Sequence, residues 1–201
     1  MNAPREEEIL SWVLFIYQRT RRMIVSIESF NAYSGNFEDS NESVLCKENF
    51  LKSSEEIVKD YLGFDPQLKE YTEELAGNLR RGLWLGSRNV LEVTSVYLNG
   101  HELPVDEYRL KGDKLFSTNK SQGPFTHGFF TITYTAGWTE ENMPSVIVLS
   151  ILRLATLMLT EGNGNIGLTG KSFTDNSRTF VNYSNYRKYL QPLDGLRIMR
   201  F

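Results

Sequence analysis

The chain has one cysteine, Cys46, and two histidines, His101 and His127, among its 201 residues. A single thiol cannot close an intrachain disulfide, and with two imidazoles it supplies no Cys/His metal framework. An excess of positive charge is also missing. Lys and Arg number 22 against 25 Asp and Glu, which leaves a net charge of −3 and argues against a large basic surface for tight nucleic-acid binding. Long hydrophobic runs are absent too. The stretch Trp12 to Tyr17 is short and follows the acids Glu6, Glu7 and Glu8, the opposite of the basic start of a secretion signal. The apolar segment 145–159 falls short of the roughly 20 residues that cross a bilayer and carries Arg153. The expectation is a soluble chain, assembled in a cytoplasm, with no membrane partner, cofactor or metal. No internal repeat is visible.

What is present suffices for one sizeable core or two small ones, since 40% of the residues are hydrophobic. Ile9, Val13, Ile16, Thr20, Met23, Ile27 and Phe30 draw one stripe and predict a helix over 5–30. Residues 31–43 read as a loop of turn formers and acids. Phe50, Leu51, Ser54, Ile57, Val58, Tyr61 and Leu62 predict a second helix over 45–62, closed by Gly63. A third helix is expected from Asp65-Pro66, with Leu68, Tyr71, Leu75 and Leu79 on its buried side. After Gly82 the period changes to two. Val90 to Leu98 alternates as a strand, Asn99-Gly100 marks a hairpin turn, and two further strands flank Lys111-Gly-Asp-Lys114. The fold class that follows is α+β: a mainly helical bundle with a small inserted antiparallel β unit and an extended C-terminal arm. Its parts are helical residues 1–84, the β unit 85–138, a buried helix 139–162, and a hinge with an arm over 163–201.

The most informative block runs from Phe129 to Leu159. Phe130, Ile132 and Tyr134 alternate with Thr131, Thr133 and Thr135, then Gly137-Trp138 turns the chain and Pro144 opens a helix. That helix is apolar on most of its circumference and must be buried in a core or between subunits. Val146, Leu149, Arg153 and Leu157 are its candidate ring or core positions. Beyond it, Glu161 to Gly170 is glycine-rich. Gly170-Lys171-Ser172 lacks the earlier glycine and the strand–loop–helix context of a phosphate loop, so no nucleotide site is expected. The histidines read as exposed turn residues, and Glu55-Glu56 and Glu73-Glu74 as solvated helix faces. The arm interleaves Phe173, Phe180, Tyr183, Tyr186 and Tyr189 with Arg178, Arg187 and Arg197. Aromatics between cations suit nucleic acid, but they are also the anchors of protein interfaces, the reading favoured for an acidic chain. Residues 175–201 hold few aliphatics, so the arm is expected to add little to the core and to be ordered by a partner.

Taken in order, the Tyr134-Thr-Ala-Gly-Trp138 strand and turn with Pro144, the helix Phe50 to Gly63, the strand and turn Val93 to Gly100, and Asn185 to Pro192 resemble the head-tail connector, or head-completion, proteins of long-tailed bacteriophages. The resemblance spans about residues 44–195. It implies a non-enzymatic virion protein: a dodecameric ring between the portal protein of the head and a tail-proximal completion or terminator protein, through which double-stranded DNA passes without sequence-specific binding. A ring closed by head-to-tail contacts needs two different surfaces on each subunit. The alternative is a monomeric tail or baseplate module whose β unit recognises a ligand.

Overall fold

The computed structural model describes residues 23–78, 82–118, 125, 128–162, 170–173, 176–179 and 186–198. Helix α1, Ile27–Ser34, starts where the Ser26 hydroxyl accepts the Ser29 N–H at 3.2 Å. It ends at Gly35, whose φ of 70° lies in the left-handed region. Helix α2, Asn41–Leu62, starts on the Ser40 hydroxyl and closes at Gly63, whose N–H returns to the Lys59 carbonyl. These caps correct two expectations. Met23 to Ser26 is not helical, because Ser26 sits in extended backbone and accepts the first orphan N–H of α1. The expected loop at 31–43 shrinks to residues 35–40, since its serines serve α2 as cap and first turn. The remainder of the expected helix 5–30, residues 5–22, lies outside the described residues.

The larger correction concerns the third helix. Residues Lys69–Ala76 form strand β1, which pairs antiparallel with β7, Phe129–Ala136, over all eight residues. Tyr71, Glu73 and Leu75 turn inward and Glu70, Thr72 and Glu74 outward, a period of two. Pairing with a partner 60 residues away overrides the helical preference of Lys, Glu and Leu.

Among the described residues, the first seven strands form two sheets. The first has the order β1, β7, β3 (Val90–Leu98) and β4 (His101–Glu102). The second has β2 (Gly82–Trp84), β6 (Lys114–Ser117) and β5 (Tyr108–Lys111). Their inner faces share one core, built from Leu83, Val90, Val96, Tyr108, Leu115, Phe130, Ile132 and Tyr134. A separate core joins α1 and α2 to helix α3, Ser145–Gly162, through Phe30, Leu51, Val58, Leu62, Ile147, Ile151 and Leu154. The chain is α+β, but it is not mainly a helical bundle: the sheets enclose a core of their own.

The arm is only partly an arm. Strands β8 (Gly170–Phe173) and β9 (Asn176–Thr179) pair as a hairpin. Helix α4, Tyr186–Leu190, and a 3-10 turn, Gln191–Leu193, then return to the helical core, where Leu193 is fully buried and Leu190 nearly so. This overturns the expectation that residues 175–201 contribute little to the core. Two leucines at the right spacing suffice to anchor a short helix.

Candidate assembly surfaces

The Gly137-Trp138 turn joins the two halves. Gly137 has φ of +105°, and a Cβ there would stand 2.4 Å from the Gln67 carbonyl oxygen, so only glycine fits. Trp138 donates its N–H to the Pro66 carbonyl at 2.8 Å and accepts from the Leu68 N–H at 3.0 Å. Its ring lies 6.1 Å from that of Phe64. Pro144 immediately precedes α3 and accepts the Ile147 N–H at 2.9 Å. Tyr134 is buried and stacks on Tyr71 with ring centroids 5.5 Å apart. Burial, and then the neighbouring Glu73 carboxylate, push the Tyr134 hydroxyl well above the ordinary tyrosine range. Glu73 itself accepts the Gly86 N–H at 2.9 Å. It is therefore a strand residue fixed between the sheets, not part of a solvated helix face.

On α3, Ile147, Ile151 and Leu154 are fully buried. Val146, Leu149, Arg153 and Leu157 lie along its half-exposed side. At the C-terminus, Tyr186 donates its hydroxyl proton to Glu161 at 2.7 Å, Arg187 is exposed, and Tyr189 packs against the helical core. The Arg197 guanidinium lies 4.9 Å over the Tyr61 ring, while the Tyr61 hydroxyl donates to Asp194. The backbone of Phe173 and Arg178 belongs to β8 and β9. Phe180, Tyr183 and His127 lie outside the described residues. Gly170-Lys171-Ser172 is strand rather than the start of a helix, so its backbone N–H groups cannot wrap a phosphate as a phosphate loop does.

Two further features escaped the sequence reading. Glu55, placed on a solvated face, is buried and accepts the N–H groups of Ile24 and Val25, the latter at 3.2 Å. Burial raises its pKa above the usual carboxylate range, and the two N–H groups only partly offset this. Lys47 is fully buried, with its ammonium on the carbonyls of Asn36 at 3.1 Å and Glu38 at 2.7 Å. It thereby fixes the loop that presents Phe37, 70% exposed.

The outer faces of the two sheets carry opposite charge. Cross-strand partners share a face, and on the four-stranded sheet the pairs Glu70↔Thr135, Thr72↔Thr133, Glu74↔Thr131, Glu92↔Thr135 and Tyr97↔Glu102 all point away from the core. On the three-stranded sheet the outward set is Trp84↔Lys114, Lys111↔Lys114 and Arg109↔Phe116. Lys114 lies across Gly82, where a Cβ would meet its chain. Its ammonium sits 5.0 Å from the Trp84 ring and 5.1 Å from the Phe116 ring. The signal in the sequence was the alternation of Arg109 and Lys111 about Leu110, and of Lys114 and Phe116 about Leu115.

Among the described residues, no group of His, Cys, Asp and Glu could hold a metal ion, and no helix is long and apolar enough to cross a membrane.

Solved chains that share the fold include three from particles of a gene transfer agent (GTA). One, from the neck of an empty GTA particle computed with C6 symmetry, is 14% identical with a TM-score of 0.56, over 89% of this chain and 91% of that one. A second, from the virion of the native particle, is 12% identical with the same TM-score and the same coverage of both chains. A third, from the neck of the native particle computed with C12 symmetry, is 13% identical with a TM-score of 0.50, over 77% of this chain and 83% of that one. Among curated proteins none matches the chain in sequence. The model of the head completion protein family matches residues 23–165, a stretch that takes in α1, α2, both sheets and α3. The resemblance carried by Tyr134, Gly137, Trp138 and Pro144 is thereby borne out, and the chain belongs to the head completion protein family.

Proposed function

We propose that the chain is a structural subunit of a phage-like virion neck, assembled in the host cytoplasm and joining the head to the tail. The observation that carries this is the family membership together with a fold shared with chains of GTA necks. In this reading the subunits form a ring, dodecameric on the portal protein, whose other side receives a tail-proximal completion or terminator protein. The symmetry of the neck particles that contain the same fold supports a ring. DNA passes through the opening without sequence-specific contact. An acidic subunit suits such a conduit, because a wall that repels phosphate lets DNA slide.

The half-exposed stripe of α3, Val146, Leu149, Arg153 and Leu157, is a candidate for contacts within the ring body. The C-terminal segment is the candidate portal-facing element, through Phe173, Arg178, Phe180, Tyr183, Tyr186, Arg187, Tyr189 and Arg197. The chain performs no catalysis in this reading and needs no cofactor. Electron microscopy of the full chain mixed with its portal particles tests the proposal.

A further inference from the structure

We infer that neighbouring copies in the ring join through two sheet faces of opposite charge. The basic, aromatic outer face of the three-stranded sheet of one copy seats on the acidic, threonine-lined outer face of the four-stranded sheet of the next. This rests on the ring reading and deepens it by naming the contact.

The two faces are built by register. Arg109, Lys111 and Lys114, with Trp84 and Phe116, all point outward from one sheet. Glu70, Glu74, Glu92 and Glu102 point outward from the other, among Thr72, Thr131, Thr133 and Thr135. Within the strands neither outward set includes a described residue of the opposite charge, and no described cation is paired with any of the four glutamates. The inner faces of both sheets are spent on one shared core. The charged faces therefore look away from each other, on opposite sides of the sandwich. A chain built this way cannot satisfy its own faces. Two copies meeting like face to like face repel, whereas unlike faces attract and leave a free face at each end, the head-to-tail contact that closes into a ring.

The basic face has the make-up of an interface rather than of a solvated surface. Trp84 is 63% exposed yet held in place, with the Lys114 chain laid over Gly82 between two rings. A tryptophan fixed before binding is the kind of anchor that interfaces bury. The same cations would attract DNA phosphates, but duplex DNA offers no open base on which Trp84 could stack, and the matching acidic face exists on this same chain.

The test uses two full-length variants. The first, Arg109→Glu with Lys111→Glu, makes both outer faces negative. The second, Glu70→Lys with Glu74→Lys and Glu92→Lys, leaves Glu102 as the acidic face's remaining carboxylate and makes both faces positive. All five positions are exposed, and circular dichroism melting checks that each variant folds. Ring formation on portal particles is scored by electron microscopy, and self-association by sedimentation equilibrium. Each variant alone is expected to lose rings and to weaken self-association at least about tenfold, as for a lost contact of roughly 1.4 kcal/mol. An equimolar mixture of the two is expected to restore rings, because alternating copies again present opposite faces at every contact. The inference is overturned if wild-type and variant chains form rings alike, or if each variant is defective and the mixture gains nothing. It is also overturned if the first variant loses only DNA retention while its rings persist, since the basic face would then serve DNA. Absence of rings from the wild-type chain on its portal removes the ring reading as well. Wild-type rings that ignore the reversals remove this contact alone.

Discussion

Single residues hold the two halves of the molecule in register. Gly137 is needed because its φ is positive and the Gln67 backbone occupies the space of a Cβ. Gly100, also at positive φ in the Asn-Gly turn, has nothing within 4 Å of its missing Cβ. Gly100→Ala should therefore lower stability by about 1 kcal/mol from backbone strain alone, and Gly137→Ala by at least about 3 kcal/mol, because the close contact with the Gln67 backbone must also open. Chemical denaturation of both variants measures the difference. Equal losses would show that the Gln67 contact does not constrain the turn.

Glu55 makes stability depend on pH. Its folded pKa is raised by burial, so the folded state binds this proton more tightly than the unfolded chain. Its contribution is fully present below the ordinary carboxylate value and is lost as pH rises through the raised one. Asp65 works in the opposite direction. Burial alone would raise it, but the Gln67 N–H, Lys59 and Lys69 outweigh burial and hold it low, so its contribution is lost as pH falls. Glu55→Gln keeps a carbonyl oxygen for the Ile24 and Val25 N–H groups and removes the charge. Melting temperatures of this variant are expected to equal wild type in acid and to exceed it increasingly toward neutral pH. A wild-type advantage at neutral pH would mean that the ionised carboxylate is the stabilising form.

At the level of elements, the C-terminal turn is a structural part of the helical core. Leu193 is fully buried there, the Ile198 N–H donates to the Leu62 carbonyl at 2.8 Å, and Arg88 donates to the Arg197 carbonyl at 3.3 Å. Leu193→Ala should cost about 2–5 kcal/mol, and a chain ending before Tyr186 should melt lower still. Calorimetry decides the point; a truncated chain that melts like the full-length protein would mean that this segment only rests on the core. Elements encoded by a local pattern were legible in the sequence: α2 with its Gly63 cap, β3 with the Asn99-Gly100 turn, and the run from β7 through Gly137 and Pro144 into α3. Lys69–Ala76 was not, because Lys-Glu-Tyr-Thr-Glu-Glu-Leu-Ala is good helix material and becomes a strand only through β7. Leu190 and Leu193 were overlooked for a related reason. Two aliphatics in a polar tail carry no periodic signal, and their burial depends on a groove made by distant helices.

At the scale of the whole molecule, a net charge of −3 hides a separation of signs. The average argued against a basic surface, yet alternation in β5 and β6 collects three cations on one sheet face while four glutamates line another. Composition reports a sum, whereas a strand sorts its residues by parity.

The proposed role of the chain is to complete a virion neck as a ring on the portal. Electron microscopy of the full chain mixed with its own portal particles tests it most directly. A closed ring of added density at one pole of the portal, with a central opening wide enough for duplex DNA and the symmetry of the portal itself, is expected. Bare portals, with the chain remaining as monomers in solution at saturating concentration, would contradict it.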